Sequence, residues 1–351
     1  MSIDKIKELM ETNYIFRYLF YTVCSVLIIS CLLTYWEIYV PKSSASNILI
    51  TFSAKSGQGD DEIAKDLEYL GIIKSSYFFR FYVVVSFQHS KLQAGKYLLS
   101  PNMSIHEIVE KMEAGDILKQ KITILEGWDL YDIKKYFVAK DILTGEDFEK
   151  VISQDFSYRF SFLKDLQAQT EKSEDISLEG YLFPDTYEIY EGEGGEEIIK
   201  NILSNFDDKI TPNLRSEIIA QDKSIFEIIT VASLIEKEVK TLNDKKIVSG
   251  IIWKRLKMGM PLQIDATINY ITNKNDPGVA IKDTKIDSPY NTYKYTGLPK
   301  GPISNPGMNS ILAAIYPKES DYLFYLSGAG GKTIFSKTMS EHSIAIAKYL
   351  R

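Results

Sequence analysis

An uncharged apolar run near the N-terminus constrains this chain more than any other feature. Between Tyr18 and Trp36 the sequence contains no Asp, Glu, Lys or Arg. As a helix, the run would be about 28 Å long, which matches the hydrocarbon thickness of a bilayer and exceeds the apolar core of a cleaved signal peptide. Aromatic residues, which favour membrane–water interfaces, cluster at both ends. The sequence therefore predicts an uncleaved transmembrane helix over residues 18–39.

Basic residues flank this run unevenly. Lys5, Lys7 and Arg17 precede it, and Lys42 is the nearest basic residue that follows it. Because positively charged flanks stay in the cytoplasm, residues 1–17 are expected to be cytoplasmic. The large C-terminal part is then expected to be periplasmic, on the outer side of a cytoplasmic (inner) membrane that the chain crosses once.

Charge and cysteine content argue against several classes of protein. The net charge is -6 and no basic stripe occurs, so no nucleic-acid partner is expected. Cys24 and Cys31 both lie in the apolar run, which leaves the rest of the chain without a disulfide framework or a thiolate metal site. The three histidines are far apart in sequence, and no spacing supports a metal site or a Ser-His-Asp triad.

Residues 48–118 show a short alternation of strands and helices. Ser104 and Glu107 form the sequence pattern of a capping box, which predicts one further helix after that alternation. The strand–helix–helix–strand order resembles a LysM-like module, a fold that binds N-acetylglucosamine polymers. A small α/β spacer that only positions the next domain fits the same pattern. The predicted elements are, in chain order, Ile48–Phe52, Asp60–Leu70, Tyr77–Phe87 and Gly95–Leu99.

The segment Leu178–Tyr187, LEGYLFPDTY, combines two carboxylic acids with three aromatic rings. Its acids are Glu179 and Asp185. A carboxylic acid held beside apolar rings is kept from water, so its pKa rises and it can act as a general acid near neutral pH. The alternative interpretation is a core strand with two solvated acids.

A second acidic candidate lies on the helix predicted over Ile225–Val239. There Glu236 shares a helical face with apolar residues. An unpaired carboxylate on such a face is costly, so Glu236 either faces a cleft or joins a buried network. Glu238 is the alternative acid, and a partly buried structural ion pair with a lysine is the alternative role.

Two further segments carry polar groups that suit a sugar ligand. Pro261–Tyr270 alternates polar with apolar residues, and Ser288–Gly307 is rich in Pro and Gly, which predicts a long loop. Loops of this length are usually functional, although an irregular surface loop is possible on the same composition. The candidate contacts to substrate are Gln263, Asp265 and Thr267 in the first segment and Tyr290, Asn291 and Thr292 in the second.

At these motifs the chain resembles the YceG-like proteins, the endolytic murein transglycosylase family. LEGYLFPDTY, ASLIEKEV, QIDAT, SPYNTY and GLPKGPISNPG occur in the family's order, and a closing segment, Tyr322–Leu350, follows them. One departure is Ala266, where the family pattern has Pro. The resemblance implies an α+β fold in three parts, namely a transmembrane helix, a small LysM-like α/β module over residues 48–118 and a mixed α/β catalytic domain over residues 119–351.

The resemblance also implies a function. It predicts an endolytic lytic transglycosylase that cleaves the bond between N-acetylmuramic acid and N-acetylglucosamine in nascent strands, leaves 1,6-anhydromuramoyl ends and terminates strand elongation. The family's essential glutamate falls on Glu179, and Asp185 and Glu236 are assigned supporting roles. No metal or organic cofactor is required. The expected partners are peptidoglycan glycan strands and peptidoglycan synthases in the membrane.

Two other classes of protein compete with this prediction. The chain could be a non-catalytic peptidoglycan-binding membrane protein in which the LysM-like module does the binding. It could also be a pyridoxal-dependent lyase, which needs a Schiff-base lysine and normally a cytosolic chain. An acid in an aromatic setting argues against the first class, and the membrane helix argues against the second.

Overall fold

The computed structural model describes residues 14–46, 48–55, 57–87, 91–164, 177–274, 279–327 and 332–349. Residues 1–13 of the predicted cytoplasmic segment, and with them Lys5 and Lys7, lie outside the described residues. The chain forms two compact units. Unit 1 comprises Met1–Gln120 and Tyr190–Glu193, and unit 2 comprises Lys121–Ile189 and Gly194–Arg351.

The first described element of unit 1 is helix α1, Tyr14–Tyr39, which is long and apolar enough to cross a membrane. Of its described residues only Ile38, in the last turn, is buried by the rest of the structure. A helix that is apolar on all faces and exposed along nearly its whole length needs an apolar environment. This structure is consistent with the single-pass anchor that the sequence predicts.

In the part of unit 1 that follows α1, three helices share a core with a two-stranded sheet. Strand β1 pairs antiparallel with β2, and Phe52 lies opposite Tyr97 in their register. Both of these rings are buried in the core of the unit. The capping box of Ser104 and Glu107 is present at the start of α4, as predicted. The elements are β1 Ile50–Ala54, α2 Asp60–Tyr69, α3 Ser76–Val85, β2 Gly95–Leu99 and α4 Ile105–Glu113.

This order of elements agrees with the strand–helix–helix–strand pattern seen in the sequence. Helix α3 ends in the β-branched residues Val83, Val84 and Val85, and it is nevertheless a helix, in which Phe79 and Val83, four residues apart, both reach the core. Likeness to a LysM module, and glycan binding by it, stay predictions.

Unit 2 is a mixed α/β arrangement dominated by helices. Strands β3, Lys119–Thr123, and β4, Thr186–Tyr190, most of whose residues belong to unit 2, pair with each other, and β5 pairs antiparallel with β6. The remaining elements are α5 Leu130–Ala139, α6 Gly145–Ile152, α7 Gly195–Lys209, α8 Pro212–Ala220, α9 Ile225–Glu238, α10 Leu242–Lys257, α11 Asp265–Thr272, a 3₁₀ turn Asp283–Lys285, α12 Met308–Ile315, β5 Phe324–Ser327, β6 Thr333–Ser336 and α13 Met339–Tyr349.

Helix α9 is the centre of this unit. It packs against α10, α11 and α12, and its middle residues from Ile228 to Ile235 are all buried. A helix buried on all faces is held by its neighbours, so the segments that follow α9 are fixed relative to it. The alternating segment before Tyr270 does not extend as a strand, because Gln263 adopts a left-handed φ of 52° and α11 begins at Asp265.

Candidate active site

Glu179 lies on a tight turn that precedes β4, and its side chain is almost fully buried at 2% exposure. The next residue, Gly180, has a φ of +90°, which favours glycine. A Cβ there would lie 2.6 Å from Cβ of Pro302 and 2.9 Å from Cγ2 of Ile229. Gly180 therefore allows α9 and the loop that carries Pro302 to close over the turn and to fix the position of Glu179.

Three polar groups from distant segments surround the Glu179 carboxyl. Its Oε2 accepts a hydrogen bond from the N–H of Leu130 at 3.0 Å and from the hydroxyl of Tyr270 at 3.4 Å. Its Oε1 accepts from Nδ2 of Asn305 at 3.3 Å. Leu130 is the first residue of α5, so the carboxyl lies at a helix N-terminus, where free N–H groups favour a negative charge.

Burial nevertheless dominates the electrostatics of this group. Burial raises the pKa of Glu179 to about 8, and the nearby Asp129 carboxylate adds to the rise. The hydrogen bonds from Leu130, Tyr270 and the N–H of Gly180 act in the opposite direction on the pKa. Glu179 is therefore mainly protonated at neutral pH, while donors are already in place for its ionised form.

Asn305 holds the turn of Glu179 to two other segments. Its Oδ1 accepts from the N–H of Leu182 at 2.8 Å, and its Nδ2 donates to the carbonyl of Trp128 at 2.9 Å as well as to Glu179. The backbone of Asn305 pairs with Trp128 and Gly127. Because Asn305 is fully buried, every one of these bonds replaces water that it lost on folding.

An open cleft lies above Glu179. Its walls come from the start of α5, from α11 and from the long loop that begins at Ser288. A neighbouring pocket shares several of these residues and adds Lys237, Asn269 and Lys274. Amide, hydroxyl and ammonium groups together with flat rings suit a polar sugar polymer. The residues lining the cleft with Glu179 are Asp129, Leu130, Tyr131, Tyr270, Ile271, Asn273, Ser288 and Tyr290.

Asp129 is a second carboxylic acid in the cleft. It is the N-cap of α5, and its Oδ1 accepts from the N–H of Asp132 at 2.8 Å. Burial raises the pKa of Asp129, the Asp132 N–H lowers it, and the Asp132 charge raises it again. Sequence patterns did not single out Asp129, although Asp129 with Asp132 forms a capping box that marks the start of a helix.

Tyr290 is the residue of the predicted SPYNTY contacts that lines the cleft with Glu179. Its ring lies against that of Tyr270, with centroids 5.0 Å apart. By contrast Asn291 is buried, and its amide nitrogen donates to the carbonyls of Thr284 and Ile286 at 3.0 and 2.7 Å. Its amide oxygen accepts from the N–H of Tyr293 at 2.9 Å. Asn291 thus holds the loop in shape.

Thr292 and Thr267 join that loop to α11. Both are buried, and their hydroxyl oxygens are 3.0 Å apart. Thr292 Oγ1 also accepts from the N–H of Ile264 at 3.0 Å, and Thr267 Oγ1 donates to the carbonyl of Ile264 at 2.7 Å. These contacts position the loop that carries Tyr290, and they use the hydroxyl groups that the sequence suggested for sugar contacts.

Asp265 and Glu238 form a separate acidic cluster at the start of α11. The hydroxyl of Tyr293 donates a hydrogen bond to the carboxylate of Asp265. Burial raises the pKa of Glu238 to about 7, the Asp265 charge adds to this, and hydrogen bonds from Tyr325 and the N–H of Ala266 oppose it. A proline at position 266, the residue expected there from the family resemblance, could not supply that N–H.

Glu236 makes the contacts of a structural ion pair. Its Oε1 is 2.9 Å from Nζ of Lys245, and the two side chains are 8% and 4% exposed. Its Oε2 accepts from the N–H of Gly307 at 3.0 Å and from the hydroxyl of Ser310 at 2.6 Å. Gly307 is the N-cap of α12, so Glu236 holds the end of the long loop on that helix.

Asp185 and Gln263 lie apart from the residues that line the cleft with Glu179. Burial alone would raise the pKa of Asp185, but the Thr186 N–H, the Asn205 amide and the Lys209 ammonium outweigh it and lower that pKa. Asp185 lines a different surface depression near β4 and α7. Gln263 is exposed, and its backbone N–H donates to the carbonyl of Thr292 at 3.0 Å.

The aromatic setting of Glu179 differs from the one that the local sequence suggested. Tyr181 stacks on Phe162 and packs edge-on against Phe206 in the core of unit 2, with centroids 5.7 and 5.1 Å apart. The rings that line the cleft with Glu179 are tyrosines 131, 270 and 290, which are distant in sequence. A buried acid at the base of a polar, tyrosine-lined cleft is typical of enzymes that use general acid catalysis.

Comparison with known proteins identifies the family. The YceG-like family matches residues 52–348. An endolytic murein transglycosylase of Bacillus subtilis (strain 168) is 34% identical over 88% of this chain and 87% of its own length. One from Streptococcus pneumoniae serotype 2 is 29% identical over 89% of this chain and 60% of its own length. This chain belongs to the YceG-like family, and the resemblance noted in its motifs is confirmed.

A solved structure supports the same assignment. The crystal structure of a YceG-like protein from Listeria monocytogenes matches this chain with a TM-score of 0.57 and 35% sequence identity. The match covers 85% of this chain and 99% of that protein. The fold and the family are therefore shared along most of the chain.

Proposed function

We propose that this protein is an endolytic lytic transglycosylase and that Glu179 is its general acid and base. The observation that carries the proposal is the Glu179 carboxyl itself, which is buried beneath a polar cleft, has a pKa raised to about 8 and lies at a helix N-terminus. Family membership and the names of the relatives support the same class of enzyme.

The proposed reaction needs one residue in two protonation states. Protonated Glu179 gives its proton to the glycosidic oxygen between N-acetylmuramic acid and N-acetylglucosamine, and the bond from that oxygen to the muramoyl anomeric carbon breaks. The muramoyl 6-hydroxyl oxygen bonds to the same carbon, and its proton returns to Glu179. The products are a 1,6-anhydromuramoyl end and a new N-acetylglucosamine end, and no water is consumed.

The surroundings of Glu179 suit both halves of this cycle. Burial favours the protonated acid that begins the reaction. After the proton leaves, the Leu130 N–H, the Tyr270 hydroxyl and the Asn305 amide are donors to the carboxylate. Because these donors are already positioned, the site need not reorganise when the charge appears. We assign Tyr270 and Asn305 to positioning Glu179, and Tyr290 to contact with the glycan.

The remaining predicted residues are proposed to support the site. Thr267, Asn291 and Thr292 hold the loop of Tyr290, and Glu236 holds the other end of that loop on α12. For Gln263, Asp265 and Asp185 we retain a supporting role or a contact with more distant sugars of the strand. An open cleft can hold a long glycan strand that continues on both sides of Glu179, which suits cleavage inside the glycan strand and away from its ends.

The cellular setting is part of the proposal. With α1 as a single-pass anchor and unit 2 outside the membrane, the cleft would meet glycan strands as they are made, so cleavage would terminate their elongation. Peptidoglycan synthases in the same membrane are the proposed protein partners. A reporter fused after Arg351 should be active only outside the cytoplasm, and cytoplasmic activity would overturn this topology.

The product of digestion tests the reaction. Full-length protein in detergent should convert purified peptidoglycan to fragments whose muramoyl ends are lighter by one water than reducing ends, as measured by mass spectrometry. Glu179→Gln should reduce formation of this product by about 10²–10⁴-fold, whereas Glu146→Gln, a change of the same type at an exposed site in α6, should leave it unchanged. Reducing muramic ends would instead indicate a hydrolase, with Asp129 as the candidate base. Binding of glycan without cleavage would indicate a non-catalytic protein.

A further inference from the structure

Helix α3 carries an apolar face that the protein leaves uncovered. Tyr77, Phe81 and Val84 follow one another at spacings of four and three residues, so they share one side of the helix. They are 68%, 41% and 63% exposed, and Val85 beside them is 57% exposed. Because Phe79 and Val83 fill the core side, α3 is apolar on both sides, which is unusual for a helix in contact with water.

This helix lies against the end of the membrane-spanning helix. The ring of Tyr82 in α3 packs edge-on against Tyr39 in the last turn of α1, with centroids 6.3 Å apart. Lys74, just before α3, lies over the ring of Trp36 with its ammonium 5.2 Å from the centroid. The end of α1 that carries Trp36 and Tyr39 is rich in the aromatic residues that favour the membrane interface. Lys74 lies just before α3 and Tyr82 lies in its second half, so this helix, about 15 Å long, contacts the aromatic end of α1 near its start and again in its second half.

The chemistry of the face favours lipid over sugar. It combines two rings with the aliphatic side chains of Val84 and Val85, and its flanking charge, Arg80, is paired with Asp61 at 2.8 Å. Sugar-binding faces place hydrogen-bonding groups beside their rings, whereas interfacial helices combine aliphatic and aromatic residues on one side. A second copy of the chain could cover the same groups, but the contact of α3 with the end of α1 favours the bilayer that α1 would cross.

We propose that the Tyr77, Phe81, Val84 and Val85 face of α3 inserts into the outer interfacial layer of the bilayer that α1 crosses. Unit 1 would then contact the membrane at two places, through helix α1 and through this face of α3. The proposal rests on α1 as a membrane span and is independent of the reaction at Glu179. Interfacial helices of this kind bury their apolar side about 5–10 Å into the headgroup and upper acyl region.

Fluorescence quenching in vesicles tests the proposal. Full-length protein without Cys24 and Cys31 (both to Ser) would carry Val84→Cys labelled with an environment-sensitive dye. The matched control is Glu62→Cys, which is exposed on helix α2 of the same unit. In phosphatidylglycerol–phosphatidylethanolamine vesicles with a nitroxide near the top of the acyl chain, the Val84 label should lose most of its fluorescence and the Glu62 label little. Aqueous iodide should quench the two in the reverse order.

Three other outcomes overturn the proposal. Iodide access to Val84 as free as that to Glu62 would show an uncovered face. Protection from iodide without quenching by lipid would show that a second copy or another part of the chain covers it. Equal lipid quenching at both sites would show no preference for this face. A label on the native Cys24, in a Cys31→Ser protein, should be quenched by deeper nitroxides in every case, which separates failure of the proposal from failure of the anchor.

Discussion

Glu179 and Glu236 are two nearly buried glutamates of the same unit, and their carboxyl groups have different kinds of hydrogen-bonding partner. Glu236 meets an ammonium, the Nζ of Lys245 at 2.9 Å, together with two further donors. Glu179 meets neutral donors, and burial raises its pKa to about 8. A cation compensates a buried charge directly, whereas neutral donors only partly replace water. The nature of the partner, more than burial itself, separates a structural glutamate from one suited to transfer protons.

The largest effect that would test this comparison is on activity. Glu179→Gln keeps the size of the side chain but cannot give up and retake a proton, so the rate of anhydro-product formation should fall by about 10²–10⁴-fold. The measurement is product formation by mass spectrometry beside a melting curve. Glu236→Gln at equal concentration of folded protein should retain most activity. The reverse ranking in folded proteins would place the acid on the helix of Glu236.

The second effect is on stability and concerns Glu236. Glu236→Gln leaves the buried ammonium of Lys245 without its counter-charge, which typically costs about 3–5 kcal/mol of unfolding free energy. Chemical denaturation should show this loss. Adding Lys245→Met should restore part of the stability, because the unpaired charge is then gone. If the single variant is as stable as the wild type, the pair does not contribute as the structure indicates.

The third effect is a pH dependence set by Glu179. The free protein should lose activity as pH rises through about 8, because the acid is then ionised. Tyr270→Phe removes a hydrogen bond that lowers this pKa, so the activity limb should move to higher pH. The pH profile of kcat/KM measures both. If kcat/KM falls at the same pH in the wild type, in Glu179→Asp and in Tyr270→Phe, the group that titrates is not Glu179.

The raised pKa of Glu179 also makes the free energy of unfolding depend on pH. The folded pKa, about 8, lies above the ordinary value of 4.5, so between these pH values the folded state keeps a proton that the unfolded state has lost. Stability from this group is therefore full below pH 4.5 and declines as pH rises to about 8. The melting temperature of the wild type should fall over this range relative to that of Glu179→Gln. Parallel curves would contradict a raised pKa.

The smallest effect is expected at Asp185. Its ion pair with Lys209 is partly exposed, at 42% and 39% of the two side chains. Exposed pairs contribute about 0–1 kcal/mol, so Asp185→Asn should change the free energy of unfolding by no more than that. Activity should stay near the wild-type level. A loss as large as that of Glu179→Gln would show that Asp185 contacts the reacting sugars, and the cleft would then extend to β4.

Several features follow from local sequence alone because local interactions cause them. An uncharged run of this length predicts a membrane-spanning helix from its own composition, and α1, which is long and apolar enough to cross a membrane, contains the whole predicted run. Ser104 with Glu107 starts a helix because the two residues satisfy each other's backbone N–H groups. The motif order identified the family, and with it Glu179 as the candidate acid.

Tertiary structure decided what the polar residues do. The donors to Glu179 lie 49, 91 and 126 residues away in sequence, on Leu130, Tyr270 and Asn305. Thr267 of the alternating segment and Thr292 of the long loop, both predicted sugar contacts, form buried hydrogen bonds with each other and with Ile264. A carboxyl's pKa depends on the water it loses and on the dipoles that replace it, and both come from segments that only the fold brings together.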